Sequence, residues 1–129
     1  MPKLIITMKR RQGMPLDEFI AYYNEHHLVN VSRILPPSDN SRRIHIRNFV
    51  NTNHPLLSLV GDGRAVTRDP EFDCLTEIIF ESDESAAAFF GNFFEVKALG
   101  LIKEDEARFI DPGSVRFYMV DSIEVVRGG

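Results

Sequence analysis

The chain has 129 residues, with 15 Lys and Arg against 19 Asp and Glu and a formal net charge of -4 at pH 7. That is one domain's worth of sequence, long enough to bury roughly two-thirds of its unfolded surface without staples. The single cysteine, Cys74, excludes a disulfide framework, and no apolar run approaches the ~18 residues of a membrane span.

The apolar N-terminal stretch ends at Met8, too short for a signal peptide, so the expectation is a soluble, cytoplasmic protein with no membrane partner. Charge is uneven: residues 1–70 carry 10 basic and 6 acidic side chains, and 71–129 carry 5 and 13. The basic pairs Arg10-Arg11 and Arg42-Arg43 have no interleaved aromatics, and an acidic chain repels a polyanion. No nucleic-acid partner is expected.

Lys3 to Arg10 alternates as a strand, apolar on both faces near its start. Gln12-Gly13-Met14-Pro15 breaks the pattern, and Pro15, Asp17 and Glu18 suit the first turn of a helix. Leu16, Phe19, Ile20, Tyr23, His27, Val31 and Ile34 then recur at three- and four-residue intervals along one stripe, stopped by Pro36-Pro37. Asp39-Asn40-Ser41 is a turn. Arg43 to Asn51 reads as a second strand separating Ile44, Ile46 and Asn48 from His45, Arg47 and Phe49.

Residues 52–70, punctuated by Gly and Pro, read as a long loop of the kind that serves as a lid or binding loop. Phe72 to Glu81 is a third strand, with Asp73, Leu75, Glu77 and Ile79 opposite Cys74, Thr76, Ile78 and Phe80. Ser82 or Asp83 caps a second helix, loosened by Gly91 and ending near Phe94 or Ala98; Lys103 to Phe109 makes a short acidic helical turn, and Val115 to Val126 the last strand. The order βαββαβ predicts an α+β, ferredoxin-like domain: an antiparallel sheet with both helices on one face. Strands apolar on both sides need the other face covered too, and a second subunit is the natural cover. A homodimer is expected.

Of the four histidines at 26, 27, 45 and 54, His27 falls on the apolar stripe four residues after Tyr23, whereas His26 is rotated about 100° away. A buried imidazole stays neutral and can accept a proton; the competing reading is a core histidine bonded to a backbone carbonyl. No metal is expected, since no H-x-x-x-H, H-E-x-x-H or C-x-x-C spacing occurs. Cys74, mid-strand among apolar neighbours, reads as a buried thiol rather than a nucleophile. With no Gly-rich phosphate loop and no G-x-S-x-G elbow, no cofactor is expected.

What remains is a ring-lined pocket between helices and sheet, suited to a flat aromatic molecule, with Phe19, Tyr23 and Phe90 as walls. Asp73 and Glu77 lie roughly 13 Å apart along their strand, too far to act as a carboxylate pair, although one of them can face the pocket. His45 and Arg47 share a strand face where an anionic oxygen could meet Arg47, with solvated strand charges as the alternative.

The stretch Gly13-Met14-Pro15-Leu16-Asp17-Glu18-Phe19-Ile20-Ala21-Tyr22-Tyr23-Asn24-Glu25-His26-His27 resembles the EthD-domain signature, a Gly-Pro turn leading into a helix that carries Phe, an aromatic residue and His. Phe72-Asp73 followed by Glu77 and Phe80, and the segment from Asp105 to Pro112, are similar to that family's third strand and the acidic turn before its last strand. Asn48 and Phe49 stand where the family pattern has a polar pair. The resemblance implies a dimeric α+β barrel and points to fungal polyketide-pathway dehydratases and decarboxylases. The expectation is a cofactor-independent lyase acting on a small aromatic polyketide-type substrate, with His27, Tyr23 and Arg47 catalytic and Phe19, His45, Asp73 and Phe90 binding substrate. A cofactor-free monooxygenase acting on a phenolic anthrone and a non-catalytic dimeric binding factor are the alternatives.

Overall fold

The computed structural model describes residues 1–36, 42–61 and 69–128. Four strands form one antiparallel sheet: β1 Lys3–Met8, β2 Arg43–Phe49, β3 Cys74–Phe80 and β4 Arg116–Val120, in the order β2-β3-β1-β4. This is the ferredoxin-like arrangement that the element order predicts. The expected turn at Asp39-Asn40-Ser41 and the centre of the 52–70 loop lie outside the described residues.

Register decides which side chains meet the helices, because strand side chains alternate between faces. Leu4, Ile6 and Met8 pair with Ile78, Thr76 and Cys74, which in turn pair with His45, Arg47 and Phe49. All of these face the helices. On the opposite face Ile5, Leu75, Ile79, Ile44, Ile46 and Tyr118 form an apolar surface, with Ile44 54%, Ile46 40% and Tyr118 51% exposed. Lys3 and Glu77 form an ion pair at 3.2 Å there.

The first helical segment is continuous but not uniform. α1 (Leu16–Tyr22) passes through a π-helical turn at Tyr23–His27 into α2 (Leu28–Ile34), and the N–H of Leu28 bonds to the carbonyl of Tyr23, five residues back. Gly13 supplies the positive φ of 83° in the turn before α1. A π turn inserts an extra residue into the helical repeat. Beyond it, Leu28, Val31 and Leu35 face the sheet rather than Ile34.

α3 (Asp83–Phe93) starts at the predicted Ser82 cap, where Ser82 and Ser85 bond reciprocally in a capping box. The predicted end near Phe94 holds, with Phe94 as the C-cap, but the alternative end at Ala98 and the short turn at Lys103 to Phe109 need correction. A full helix, α4 (Val96–Glu106), lies 76° from α3. The Glu95 carboxylate accepts the N–H groups of Lys97 and Ala98 at 3.1 and 2.9 Å, and Ala98, Ile102 and Asp105 form a buried stripe at helical spacing. Tertiary packing thereby overrides the low helix propensity of Gly100.

The last strand is also shorter than predicted. β4 ends at Val120 because its partner β1 begins at Lys3, the residue opposite Val120. Ile123, Val125 and Val126, the alternating residues beyond it, are exposed. No single described helix is long and apolar enough to cross a membrane.

Candidate active site

Two apolar clusters fill the space between helices and sheet, one around Leu4, Ile78, Phe80 and Phe89, the other around Met8, Phe19, Tyr23, Cys74 and Phe109. Between them lies a cavity of about 260 Å³. Members of both clusters line it, and the polar groups on its wall are Tyr23, His27, Ser32, Arg43, His45, Thr76 and Glu106. Its volume stands near the lower end of the roughly 300–1,000 Å³ common for ligand pockets.

His27 reaches this wall from the π turn, buried and edge-on to the Tyr23 ring, with centroids 5.5 Å apart. Its Nδ1 lies 2.7 Å from Oδ2 of Asp105. Asp105 is 2% exposed and stands near the C-terminus of α4, where the helix dipole disfavours an anion. Four donors offset that: the Tyr22 hydroxyl at 2.6 Å, His27 at 2.7 Å, and Asn30 and Arg108 at 2.9 Å each. Although burial raises the pKa of the Asp105 carboxyl, these hydrogen bonds together hold it below its ordinary value.

An ionised carboxylate only accepts, so the shared proton belongs to His27 Nδ1. Burial lowers the His27 pKa, against the raising effect of Asp105, and the ring is neutral at pH 7. Nε2 therefore carries a lone pair. It has no hydrogen-bond partner among the described residues, and no described buried side-chain nitrogen or oxygen is left unpaired. Solvent in the cavity reaches it. The imidazole is thus tied to a carboxylate, not to the backbone carbonyl of the competing reading.

Tyr23, the third element of the wall, bonds through its hydroxyl to Thr76 Oγ1 at 2.8 Å. Burial raises its pKa far above the usual phenol value, so it remains a protonated donor. His45 lies on the same wall, and its pKa falls to about 4 through desolvation and the neighbouring Arg47 and Arg43. Arg47 sits over the Tyr23 ring, 5.8 Å from its centroid, and does not itself line the cavity.

Of the predicted site residues, His27, Tyr23 and His45 come together on the cavity, with Arg47 behind Tyr23. Three others do not. Phe19 is fully buried among Tyr23, Phe49 and Phe109. Phe90 packs on Phe80, Phe89 and Phe94, outside the lining. Asp73 lies at the other end of the sheet in a separate polar cavity, where its Oδ2 accepts the N–H of Arg10 at 2.8 Å. Glu77 is on the opposite sheet face with Lys3 and Asn48, so neither strand carboxylate reaches His27.

Sequence reasoning missed Asp105, Thr76 and Glu106. A signal for Asp105 was present: it falls on the α4 stripe with Ala98 and Ile102, and a carboxylate on an apolar stripe demands a partner. Cys74 is buried as expected, and its thiol pKa is raised by burial. Among the described residues no group of three or more His, Cys, Asp or Glu converges as a metal site.

The EthD domain pattern matches residues 11–113. The chain belongs to the EthD domain family. That span contains the turn at Gly13, the His27 segment and the Asp105–Glu106 helix end, so the polar groups of the candidate site lie within the EthD match, while Ile6, Met8, Val115 and Phe117 of the cavity wall lie outside it. The crystal structure of an ethyl tert-butyl ether D (EthD) family protein from Bacillus halodurans C-125 superposes with a TM-score of 0.55 at 15% identity, covering 95% of this chain and 99% of that one. At that identity the likeness concerns the fold. No curated protein matches the chain.

Proposed function

We propose that this EthD-family protein is a cofactor-independent lyase that eliminates water or carbon dioxide from a small aromatic polyketide-type substrate. The observation that carries the reading is His27, with Nδ1 bonded to Asp105 and its free Nε2 on the wall of an apolar cavity. A neutral imidazole in a desolvated, ring-lined space is a base for carbon acids, and its carboxylate partner stabilises the imidazolium as it forms. In dehydration Nε2 takes the proton on the carbon next to the substrate carbonyl; in decarboxylation the breaking carbon–carbon bond supplies the enolate electrons, and in both the Tyr23 hydroxyl donates a hydrogen bond to the enolate oxygen. Arg47, above the Tyr23 ring, favours negative charge at that oxygen through space. Loss of the leaving group is helped by aromatisation, which lowers the demand on the positioned base and the oxygen-stabilising donor.

The protein acts as a homodimer in this proposal. The exposed Ile44, Ile46 and Tyr118 on the helix-free face of the sheet give each subunit an apolar surface for a second copy. Sedimentation at micromolar protein should give twice the monomer mass, and Ile46→Lys should halve it.

The reaction is tested with 3-hydroxy-1-tetralone, whose dehydration yields fluorescent 1-naphthol. Naphthol should form without oxygen uptake, and His27→Ala should lower turnover by about 100-fold or more. Stoichiometric oxygen consumption instead makes the protein a monooxygenase. Return of bound compound unchanged makes it a binding factor.

A further inference from the structure

One half-buried titratable group on the cavity wall has no part in the mechanism above. Glu106 occupies the last turn of α4, next to Asp105 in the chain. It borders the cavity that holds His27 and also a second one of about 230 Å³, lined by Phe94, Leu99, Lys103 and Pro112 among others. The two cavities share Phe93, Glu106, Val115 and Phe117. The carboxyl thus stands in a partition that is otherwise apolar. It makes no hydrogen bond among the described residues, and no described buried side-chain oxygen is left unpaired, so its oxygens open onto the cavities.

We propose that Glu106 is a second catalytic residue, the proton donor that serves the leaving oxygen of a substrate lying across both cavities. The inference rests on the lyase reading. His27 Nε2 removes the proton on the carbon next to the carbonyl, and that electron pair forms the new carbon–carbon double bond. The carbon–oxygen bond breaks with its electrons on oxygen, which takes the Glu106 proton and leaves as water. Histidinium and carboxylate remain, and transfer of one proton between them through solvent restores both. Nothing beyond substrate and water enters the balance.

The surroundings of Glu106 suit a donor. Desolvation raises its pKa to about 7, helped by the Asp105 charge and opposed by Lys103. The helical segment adds neutral His27 to the same cavity, and β2 adds His45 and Arg43. The linings from β1, β3 and β4 are Ile6, Met8, Thr76, Ile78 and Phe117, none of them charged. A carboxylic acid with a pKa near the working pH combines a useful protonated fraction with a ready proton.

The test compares wild type, Glu106→Gln and His27→Ala on 3-hydroxy-1-tetralone between pH 5.5 and 8.5. Glu106→Gln keeps the shape but has no transferable proton. It should lower kcat by about 100-fold or more with KM within a few-fold, and the wild-type fall in kcat above pH 7 should vanish. If wild type turns over, His27→Ala is inactive and Glu106→Gln keeps its rate and pH profile, Glu106 is not the donor and the lyase reading stands. No turnover by wild type overturns the lyase reading. Glu106 is then judged by binding of 1-naphthol, followed by fluorescence. Affinity should weaken from pH 6 to pH 8 in wild type and stay level in Glu106→Gln; equal pH dependence in both overturns the assignment.

Discussion

Two cavities among the described residues differ in what surrounds their charges. The one around Arg10, Arg11, Asp69, Asp73 and Asp111 is the larger, at about 350 Å³, and richer in acids and bases. Its Asp73 and Asp111 accept backbone N–H groups, Asp73 from Arg10 across two distant segments and Asp111 from Gly113 within a turn. The cavity around His27 has fewer charges set into apolar walls, and there burial shifts His27, Tyr23 and Glu106 away from their ordinary values. Charge density alone does not shift ionisation. Desolvation of a few groups in apolar walls does.

The largest effect that should separate the cavities comes from Asp105→Ala. It removes the acceptor of the buried His27 and of the half-buried Tyr22 and Asn30, and should cost about 2–3 kcal/mol in urea unfolding. Asp105→Asn is gentler on the fold and tests Asp105 as a positioning residue. An amide can donate to Nδ1 and drive the imidazole proton to Nε2, so turnover of 3-hydroxy-1-tetralone should fall by about 100-fold. Nitrogen NMR of the His27 ring should report the switched tautomer; an unchanged tautomer with full activity would detach Asp105 from the mechanism.

A smaller effect concerns pH. The Glu106 pKa is raised on folding to about 7, so the folded protein binds the extra proton and stability falls as pH rises from the ordinary carboxyl range through 7. Glu106→Gln removes that loss. The variant should gain on wild type by about 2 kcal/mol between pH 4.5 and pH 8, measured as paired urea midpoints. Asp105 has the opposite sign: with its folded pKa lowered, its contribution is complete above about pH 4 and is lost as pH falls further. The smallest effect belongs to the other cavity. Asp73→Asn keeps an oxygen for the Arg10 N–H and should leave turnover within about twofold and stability within about 1 kcal/mol.

The fold was legible because its signals are local. Alternation at Lys3–Met8 and Cys74–Phe80, the break at Gly13–Pro15 and the Ser82 cap each depend on neighbours in the chain. His27 was legible for the same reason, as one member of a helical stripe. Helix α4 was not, because Gly100, on its exposed side, lowers the helix propensity of the segment and its first turn depends on Glu95 bonding back to the backbone.

By itself, the sequence determined the order of the strands, the inward turn of His27 and the split of β2 into two sets of side chains. Only the tertiary structure decided that the His45 and Arg47 set faces the helices while Ile44 and Ile46 face outward, because strand pairing fixes a face only relative to its neighbours. The union of His27 with Asp105, 78 residues apart, was likewise left to the packing of α4 against the first helical segment. Spacing along a chain encodes local geometry, whereas a partner on a distant element is chosen by how whole faces pack together.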